Sequence, residues 1–294
     1  MSSETTLPLD ESLALLTSFN SFLTVAIHNI LYFRAIYPST TFLSARAYNL
    51  PVHQNRHPKV CAWVRDAVDA VAVQLAGGHV ARIAVVLHAP LHPTSSKTSQ
   101  TSPTSPPPPP AGSVLERWLF DTSRFPVWPG GAKSMQDYER MIAKEARSEE
   151  DRDEPSRDCD RDASDSDSDS VSWPDVDEQL RGALRRMAHA AEKLAPLPEG
   201  CTFTVAVELR EQGAAPIGHP QAWIPSEPNL QPATKDGKSA PGKDVKGART
   251  TPIRSVGAGP LFFECWVEEG KAKTAFSGWS HTGSQSRQTT GSSQ

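Results

Sequence analysis

GCTFTVAVELRE, residues 200–211, is the stretch that decides the fold of this chain. Its apolar residues recur at every second position, namely Phe203, Val205, Val207 and Leu209. This is the spacing of a β-strand with at least one buried face. From Gln212 to Pro260 the sequence is polar, rich in Gly and Pro and without apolar periodicity, and LFFECWV (Leu261–Val267) then predicts another strand. Compact domains seldom contain so long a loop unless it is functional or disordered, so this connection is the first candidate for a functional segment.

Helical periodicity predicts three main helices around this strand. The first covers Asp10–Tyr37, with Asp10 as its N-cap and a proline directly after it. The second begins at Pro58 and ends at Gly77–Gly78, residue types that favour a helix start and a helix end. The third covers Val176–Leu194 and leads into the strand quoted above. Ser134–Ala146 is a candidate for a further short amphipathic helix.

Two more strands are predicted between the second and third helices. Val80–Leu87 (VARIAVVL) is rich in β-branched residues, and Val114–Asp121 (VLERWLFD) is its expected hairpin partner. Residues 39–57 form a connector, with a short extended piece such as Tyr48–Val52. Because the strands form an antiparallel set and do not alternate with helices, we predict an α+β fold with three helices packed on an antiparallel sheet.

Low-complexity segments limit the foldable part of the chain to one domain over residues 10–270. The segment 93–112 is rich in Ser, Thr and Pro, 145–173 is acidic and rich in Ser, and 271–294 is rich in Ser, Thr and Gly. We expect two disordered inserts and a disordered tail, because such segments bury too little apolar surface to fold. Whether the acidic insert is regulated by phosphorylation is left open.

Charge and hydropathy exclude several classes of function. The net charge of −4 is concentrated in residues 145–178, which carry 15 acidic residues and 4 arginines, so the remainder is mildly basic. A surplus of this size is more typical of solubility than of nucleic-acid binding, and we expect no direct contact with DNA. Polar residues interrupt Leu7–Pro38, which predicts a buried helix and neither a membrane span nor a signal peptide. We therefore expect a soluble intracellular protein.

Motifs for metal binding and catalysis are weak. The four cysteines (Cys61, Cys159, Cys201 and Cys265) are scattered, which is typical of unpaired thiols in a reducing compartment. His53 and His57 have the spacing of a helical metal-binding pair, but Pro58 places them before a helix. We expect no cofactor, no metal ligand and no catalytic residue. The alternative, a metal-dependent enzyme that uses His53, His57 and the acidic tract, would be supported by stoichiometric metal that His57→Ala removes.

Tryptophans give a stronger signal than the histidines. Trp63 lies on the second helix, one position before the apolar Val64. Trp223 and Ile224 form an isolated apolar pair (QAWIP) inside the long polar loop. Such a pair either packs locally or binds a partner, and Trp is the residue type most enriched at binding hot spots. Closing a loop of this length costs about 3.4 kcal/mol, which a partner enclosed by the loop would help to offset.

Four motifs together resemble those of one known family. ILYFRAIYP (30–38), YNLPV (48–52), the His57–Pro58 pair and GCTFTV (200–205) are similar to the HORMA-domain accessory subunits of translesion DNA polymerase zeta. The likeness covers most of residues 10–90 and 175–270. It implies a non-catalytic nuclear adaptor for DNA damage tolerance. In this family a mobile safety belt, here residues 212–260 (the belt segment), closes over an extended peptide of the polymerase's catalytic subunit, which pairs with a sheet edge.

The resemblance also implies roles for individual residues. Trp63 matches an aromatic of the peptide pocket, and Trp223, followed by Ile224, matches the belt tryptophan that closes it. Thr250, Glu264 and Trp266 fall where the family places Leu, Gln and Tyr on a surface for a scaffold polymerase, a deoxycytidyl transferase. Thr in place of Leu reduces the apolar area of this surface. Arg181 matches an arginine at a contact between two HORMA domains, and its alternative reading is an ordinary exposed charge. A spindle-checkpoint or meiotic HORMA adaptor is the alternative function.

Overall fold

The computed structural model describes residues 7–91, 108–126, 128–150, 171–210 and 247–274. In chain order its elements are α1 (Leu9–Phe33), β1 (Phe42–Ala47), β2 (Leu50–Asn55), α2 (Pro58–Ala76), β3 (Val80–His88), β4 (Val114–Asp121), α3 (Gly131–Glu150), α4 (Trp173–Lys193), β5 (Thr202–Leu209), β6 (Arg249–Ala258) and β7 (Leu261–Glu269). A short 3-10 helix, Ser39–Thr41, precedes β1. The predicted α2, β3, β4, α4, β5 and β7 are confirmed, and the short amphipathic helix is present as α3.

The main sheet has five antiparallel strands in the order β5-β3-β4-β7-β6, which confirms the α+β class. One edge of this sheet is β5, and the opposite edge is β6 of the β6–β7 hairpin. A separate two-stranded sheet, β1–β2, packs on α1. The order separates β5 from the next strand in the chain, β6, by the full width of the sheet.

Helix α1 is the core helix, as its periodicity predicts. Phe19 and Phe22 are fully buried and pack against Phe263 of β7, with ring centroids 5.2 and 5.4 Å apart. By length and composition alone, Leu9–Phe33 is also apolar enough to cross a membrane, but 56% of its most apolar window is buried inside the fold. Burial among protein side chains is what such a helix shows when it forms the core of a domain.

The predicted bounds of α1 are wrong at both ends. Pro8 occupies the N-cap position, and Asp10 lies within the first turn. The helix ends at Phe33 and not at Tyr37, because Ala35 adopts a positive φ of 53° that breaks the helical path. Arg34, at the C-cap, is buried, and its side chain takes part in a charged cluster described below.

The connector before α2 is more ordered than the sequence indicates. The predicted extended piece Tyr48–Val52 is wrong at its start, because Tyr48 and Asn49 form the hairpin turn with φ of 51° and 56°. Strand β2 begins at Leu50 and pairs in register with β1. The Asn29 Oδ1 atom of α1 accepts a hydrogen bond of 2.9 Å from the His53 backbone N–H, which fixes the hairpin on the helix.

The loop predicted over residues 212–260 is wrong for its last part, because Arg249–Ala258 is strand β6. This strand lacks a clear alternation, and it contains Pro252 and a register shift between Pro252 and Arg254, so its sequence is not typical of a strand. The predicted disordered inserts and tail are also wrong at their ends, and the rest of each lies outside the described residues. Helix α3 continues to Glu150, Val171 is buried before α4, and residues 271–274 form a helical turn after β7.

Candidate functional site at the β5 edge

Strand β5 presents an open edge in the part of the chain that the structure describes. It pairs with β3 along one side, from Thr202 opposite His88 to Leu209 opposite Val80. Phe203, Val205 and Val207 alternate toward the helices and are partly buried against the core. A strand in this position has a row of backbone N–H and C=O groups available to another extended chain.

Aromatic side chains line the helix-facing side of this edge. Trp63 of α2 is 42% exposed, and its ring meets Phe203 edge-on with the centroids 4.8 Å apart. Tyr37 approaches Phe203 from the other side at 6.4 Å, and burial raises the pKa of the Tyr37 hydroxyl. The local fold explains the position of Trp63, since α2 starts at Pro58 and its next residue, Val64, is fully buried. A half-exposed Trp beside an open strand is a surface suited to an apolar side chain of a bound peptide.

The belt segment leaves and rejoins the described residues at opposite corners of the sheet. At the end of β5, Arg210 binds three backbone carbonyls, those of His79 through its N–H (2.7 Å) and of Val80 and Thr122 through its guanidinium (both 3.1 Å). At the other corner, the Ala248 N–H donates to the Glu269 carbonyl at 2.7 Å. The chain between these points therefore joins one edge of the sheet to the other. Trp223 and Ile224 lie outside the described residues.

The three residues matched to a second binding surface share the outer face of the sheet, away from the helices. Thr250 and Glu264 are exposed, and Trp266 is half-buried. The Trp266 indole N–H donates to Glu268 at 3.0 Å, the Ser255 hydroxyl donates to Glu264 at 3.0 Å, and the Arg82 guanidinium lies 6.0 Å from the Trp266 ring. The structure thus brings Thr250, Glu264 and Trp266 to one face of the β6–β7 hairpin.

Arg181 lies on α4 with its side chain 40% exposed, in an ion pair with Glu178 one turn earlier. An exposed pair of this kind contributes little to stability. The local contact is that of an ordinary helix charge, and the exposed position leaves Arg181 available to a partner.

The structure places His53 and His57 in different surroundings. The His53 ring stacks on Tyr32 with the centroids 3.5 Å apart, and burial lowers its pKa. His57 occupies the N-cap of α2. Within the described residues no group of three or more His, Cys, Asp or Glu side chains is arranged to hold a metal ion. Cys61, Cys201 and Cys265 are free thiols there, and Cys159 lies outside the described residues.

Sequence reasoning missed a cluster of four buried charged residues at the end of the sheet where β4 begins and β7 ends. Glu116 of β4 is fully buried and binds Arg34 through two hydrogen bonds (2.7 and 3.0 Å), Lys273 at 2.5 Å and the Trp118 indole at 3.1 Å. Lys273 also lies 2.6 Å from Glu269. One signal was available, since alternation places Glu116 on the same face as Trp118 and Phe120. No pattern indicated Lys273.

Among known proteins, a family model described as the HORMA domain matches residues 16–240 of the chain. The chain is 25% identical over 251 residues to the DNA polymerase zeta processivity subunit of Schizosaccharomyces pombe, which covers 85% of this chain and 91% of that protein. It is 22% identical over 260 residues to the mitotic spindle assembly checkpoint protein MAD2B of Danio rerio, with 86% and 90% covered. A chain of a mitotic checkpoint complex crystal structure has the same fold, with a TM-score of 0.52 and 16% identity over 87% of this chain and 98% of that one.

Proposed function

The chain belongs to the HORMA-domain family, and on that premise we propose that it is a non-catalytic adaptor subunit of translesion DNA polymerase zeta. In this proposal it captures an extended peptide of the catalytic subunit along β5, beneath the belt segment. The relative from Schizosaccharomyces pombe, which matches across 85% of this chain, supports the assignment to this polymerase. DNA damage tolerance in the nucleus is the corresponding setting.

The observation that carries the proposal is the open β5 edge beside Trp63. Main-chain pairing to an edge strand gives affinity for any extended peptide, and side-chain pockets select among peptides. Phe203 and Trp63 together supply an aromatic surface on the helix-facing side of that edge. The belt segment starts directly after β5 and includes β6 at the opposite edge, so in this proposal its first part passes over the bound peptide.

A second contact belongs to the same proposal. Thr250, Glu264 and Trp266 form a mixed polar and aromatic surface on the outer face, to which the C-terminal domain of a scaffold translesion polymerase would bind. This surface on β6 and β7 lies across β3 and β4 from the β5 edge, so both partners can bind at once. Arg181 on α4 would contribute to a homodimer or heterodimer of HORMA domains, because it is exposed on a helix face.

The test is binding of a proline-containing peptide from the catalytic subunit of DNA polymerase zeta. Calorimetry or fluorescence anisotropy with the full chain should give specific binding, which a scrambled peptide abolishes. Trp223→Ala should weaken the complex, because the proposal places this side chain over the peptide. Absence of binding by the unaltered chain, or equal binding by Trp223→Ala, would contradict capture under the belt segment.

A spindle-checkpoint adaptor is the second candidate, and the name of the Danio rerio relative favours it. The two candidates share the peptide-binding edge and differ in the partner. Mass spectrometry of proteins that co-purify with the tagged chain from its own cells separates them. Polymerase subunits support the first proposal, and spindle-checkpoint or meiotic-axis proteins in their place support the second.

A further inference from the structure

The small β1–β2 sheet has two outer edges that differ in their hydrogen bonding. Its turn, Tyr48–Asn49, has two residues, so the flanking pair of Ala47 and Leu50 is hydrogen-bonded. Bonded and non-bonded pairs alternate along an antiparallel ladder, so every second residue of each strand directs its backbone N–H and C=O groups outward. On β1 these outward-directed residues include Ser44 and Arg46.

The outer edge of β2 is closed by a proline and by side chains of α1. Its outward-directed residues are Pro51, His53 and Asn55. Pro51 has no N–H, and the His53 N–H donates to the Asn29 side-chain oxygen at 2.9 Å. The backbone nitrogen of Asn55 lies 3.5 Å from the Nδ1 atom of His28. These three residues therefore have no backbone donor left for another chain.

The outer edge of β1 is open within the described residues. Strand β2 lies on one side of β1, and on the other side the described part of the chain has no strand. Residues 43–46 are all exposed, and Leu43 keeps 49% of its surface exposed. Strand β1 contains no proline and pairs with β2 without a register shift. The outward groups of Ser44 and Arg46 are therefore available to an extended chain.

The surroundings of this edge are basic. Between Glu11 and Asp66 the chain contains no acidic residue. The exposed lysine and arginines of that stretch are Arg46, Arg56, Lys59 and Arg65. Arg46 lies on β1 itself, and the Arg56 backbone N–H donates to the Thr41 carbonyl, next to the start of β1, at 2.8 Å. Neither arginine has an ion-pair partner in the part of the chain that the structure describes.

An acidic group from another element lies near the turn of the hairpin. Burial, with a smaller contribution from the carboxylate of Asp177 on α4, raises the pKa of Tyr48 to about 12. The Tyr48 hydroxyl donates to the Ser18 carbonyl of α1 at 3.4 Å. Helix α1 packs against β2, so this carboxylate lies on the helix side of the hairpin and leaves the outer edge of β1 basic.

We propose that the outer edge of β1 binds an extended peptide whose side chains alternate between apolar and acidic. Leu43 and Ala45 share one face of the strand, and Ser44 and Arg46 share the other. A strand added beside β1 has the same alternation, so its apolar residues contact Leu43 and Ala45 while its carboxylates lie beside Ser44 and Arg46. This site is separate from the β5 edge and does not depend on the proposed function.

The same charges disfavour a second copy of the chain at this edge. Pairing two β1 strands brings two basic hairpins together, and like charges on neighbouring strands destabilise a sheet. An acidic peptide instead supplies carboxylates for Arg46 and Arg56, which gives it complementary charge. The observations therefore favour an acidic peptide as the occupant.

The test is binding of a fluorescein-labelled peptide, VEVEVE with a C-terminal amide, to the full chain, measured by fluorescence anisotropy. The matched control VKVKVK, with the same label, has the same apolar residues and the opposite charge. We expect VEVEVE to bind at least about tenfold more tightly than VKVKVK, because its charge is complementary to the edge. The difference should shrink as NaCl rises from about 0.05 to about 0.5 M, because salt screens exposed charges. Equal affinities for the two peptides would overturn the proposal.

Two variants remove different parts of the site. Ser44→Pro deletes an outward N–H and keeps the ladder to β2, as Pro51 does at a non-bonded position of β2. Arg46→Glu reverses the charge beside the bound carboxylates and leaves the backbone groups in place. Each should lower the affinity for VEVEVE at least about fivefold, whereas Lys144→Glu, an exposed charge reversal on α3, should not change it. Full affinity in Arg46→Glu, or in folded Ser44→Pro, overturns the proposal.

Hydrogen exchange shows which edge the peptide occupies. Saturating VEVEVE should slow exchange of the Ser44 and Arg46 amides and leave those of Leu43 and Ala45 unchanged, because the latter two already bond to β2. Slowing along Thr202–Leu209 in place of β1 would put the peptide at the β5 edge and overturn the proposal. A dimer of the unaltered chain that Ser44→Pro abolishes would assign the β1 edge to a second copy, which also overturns it.

Discussion

The two edges of the main sheet are built in opposite ways. At the β6 edge, Pro252 has no backbone N–H to donate, the register shifts between Pro252 and Arg254, and Arg254 binds Gln179 of α4 at 2.7 Å. At the β5 edge, TFTVAVEL contains no proline, and Trp63 lies beside it with 42% of its surface exposed. Proline, bulges and a covering helix are the usual means of preventing unwanted pairing at a sheet edge. Within the described residues, β6 has the proline, the bulge and the helix contact, whereas β5 has no proline and its pairing with β3 shifts register only between Val80 and Arg82, at the end of the strand. This difference favours β5 as the edge available for pairing with another chain.

The difference extends to the charges near each edge. Beside β7, Glu116 is fully buried with three donors around it. On β5, Glu208 is partly exposed and binds Arg82 and Arg117 across the outer face at 3.1 and 2.7 Å. The carboxylate beside β7 is therefore fully buried, whereas the carboxylate on β5 is partly exposed and shares the buried Arg117.

The largest expected effect is a loss of stability when the buried charges beside β7 are changed. Glu116→Gln removes the carboxylate that Arg34 and Lys273 share, and breaking a buried ion pair in this way costs about 3–5 kcal/mol of unfolding free energy. Glu208→Gln, its counterpart on β5, should cost less, about 1 kcal/mol, because Glu208 and Arg82 are partly exposed and the buried Arg117 keeps Glu268. Urea unfolding followed by circular dichroism measures both. Equal losses for the two variants would remove the contrast.

The next effect concerns binding at the open edge. Trp63→Ala should lower the affinity for the catalytic-subunit peptide by about 2 kcal/mol, the loss expected at a hot spot. Its effect on folding should be small, since the side chain is half-exposed. Trp173→Ala on α4 is the matched control, because this Trp is similarly exposed at 39% but does not adjoin β5. Equal affinity losses for Trp63→Ala and Trp173→Ala would place the peptide elsewhere.

A smaller effect is expected from making the β6 edge resemble β5. Pro252→Val restores a backbone N–H to the exposed strand and should increase concentration-dependent association of the chain, because edge strands without proline pair more readily. Light scattering after size-exclusion chromatography, over a range of concentrations, measures this association. A wholly monomeric variant at the highest concentration would show that Pro252 does not protect this edge.

The smallest expected effect is a loss of stability at low pH, which does not distinguish the two edges. His28 of α1 is buried against β2, where its Nδ1 lies 3.5 Å from the backbone nitrogen of Asn55. Burial lowers the pKa of both His28 and His53. Below the unfolded pKa of about 6.5, the unfolded chain binds protons that these folded histidines do not. The free energy of unfolding should therefore fall as the pH drops from 7 toward 5, and His28→Gln should reduce this slope. An unchanged slope in that variant, with exposed His57→Gln as control, would contradict the assignment.

Sequence patterns predicted the parts of the fold that follow a single rule. Alternation predicted β5, β4 was predicted as the hairpin partner of the β-branched β3, and Pro58 with Gly77–Gly78 marked both ends of α2. Strand β6 was missed because its pairing depends on β7 and α4, while Pro252 and its polar residues are typical of a loop. Partners far away in the sequence make these residues a strand, and local composition gives no information about those partners.

The candidate site was predictable to a similar extent. Trp63 was identified from its place on α2 and from the family resemblance, and its contact with Phe203 adds the reason for its position. Lys273 was assigned to a disordered tail by composition, because one of its two carboxylate partners, Glu116, is far away in the sequence. Burial of a charged residue can be inferred when its partner is known, and a single sequence does not show which residues pair across the fold.

Hydrogen exchange along the two edge strands, with and without the proline-containing peptide of the catalytic subunit, tests the central claim most directly. Pairing at β5 predicts that the peptide slows exchange of amides within Thr202–Leu209. Exchange of the Arg249–Ala258 amides that point away from β7 should remain unchanged. Unchanged exchange along Thr202–Leu209 in the presence of saturating peptide, or slowing confined to β6, would contradict the claim that β5 is the peptide-binding edge.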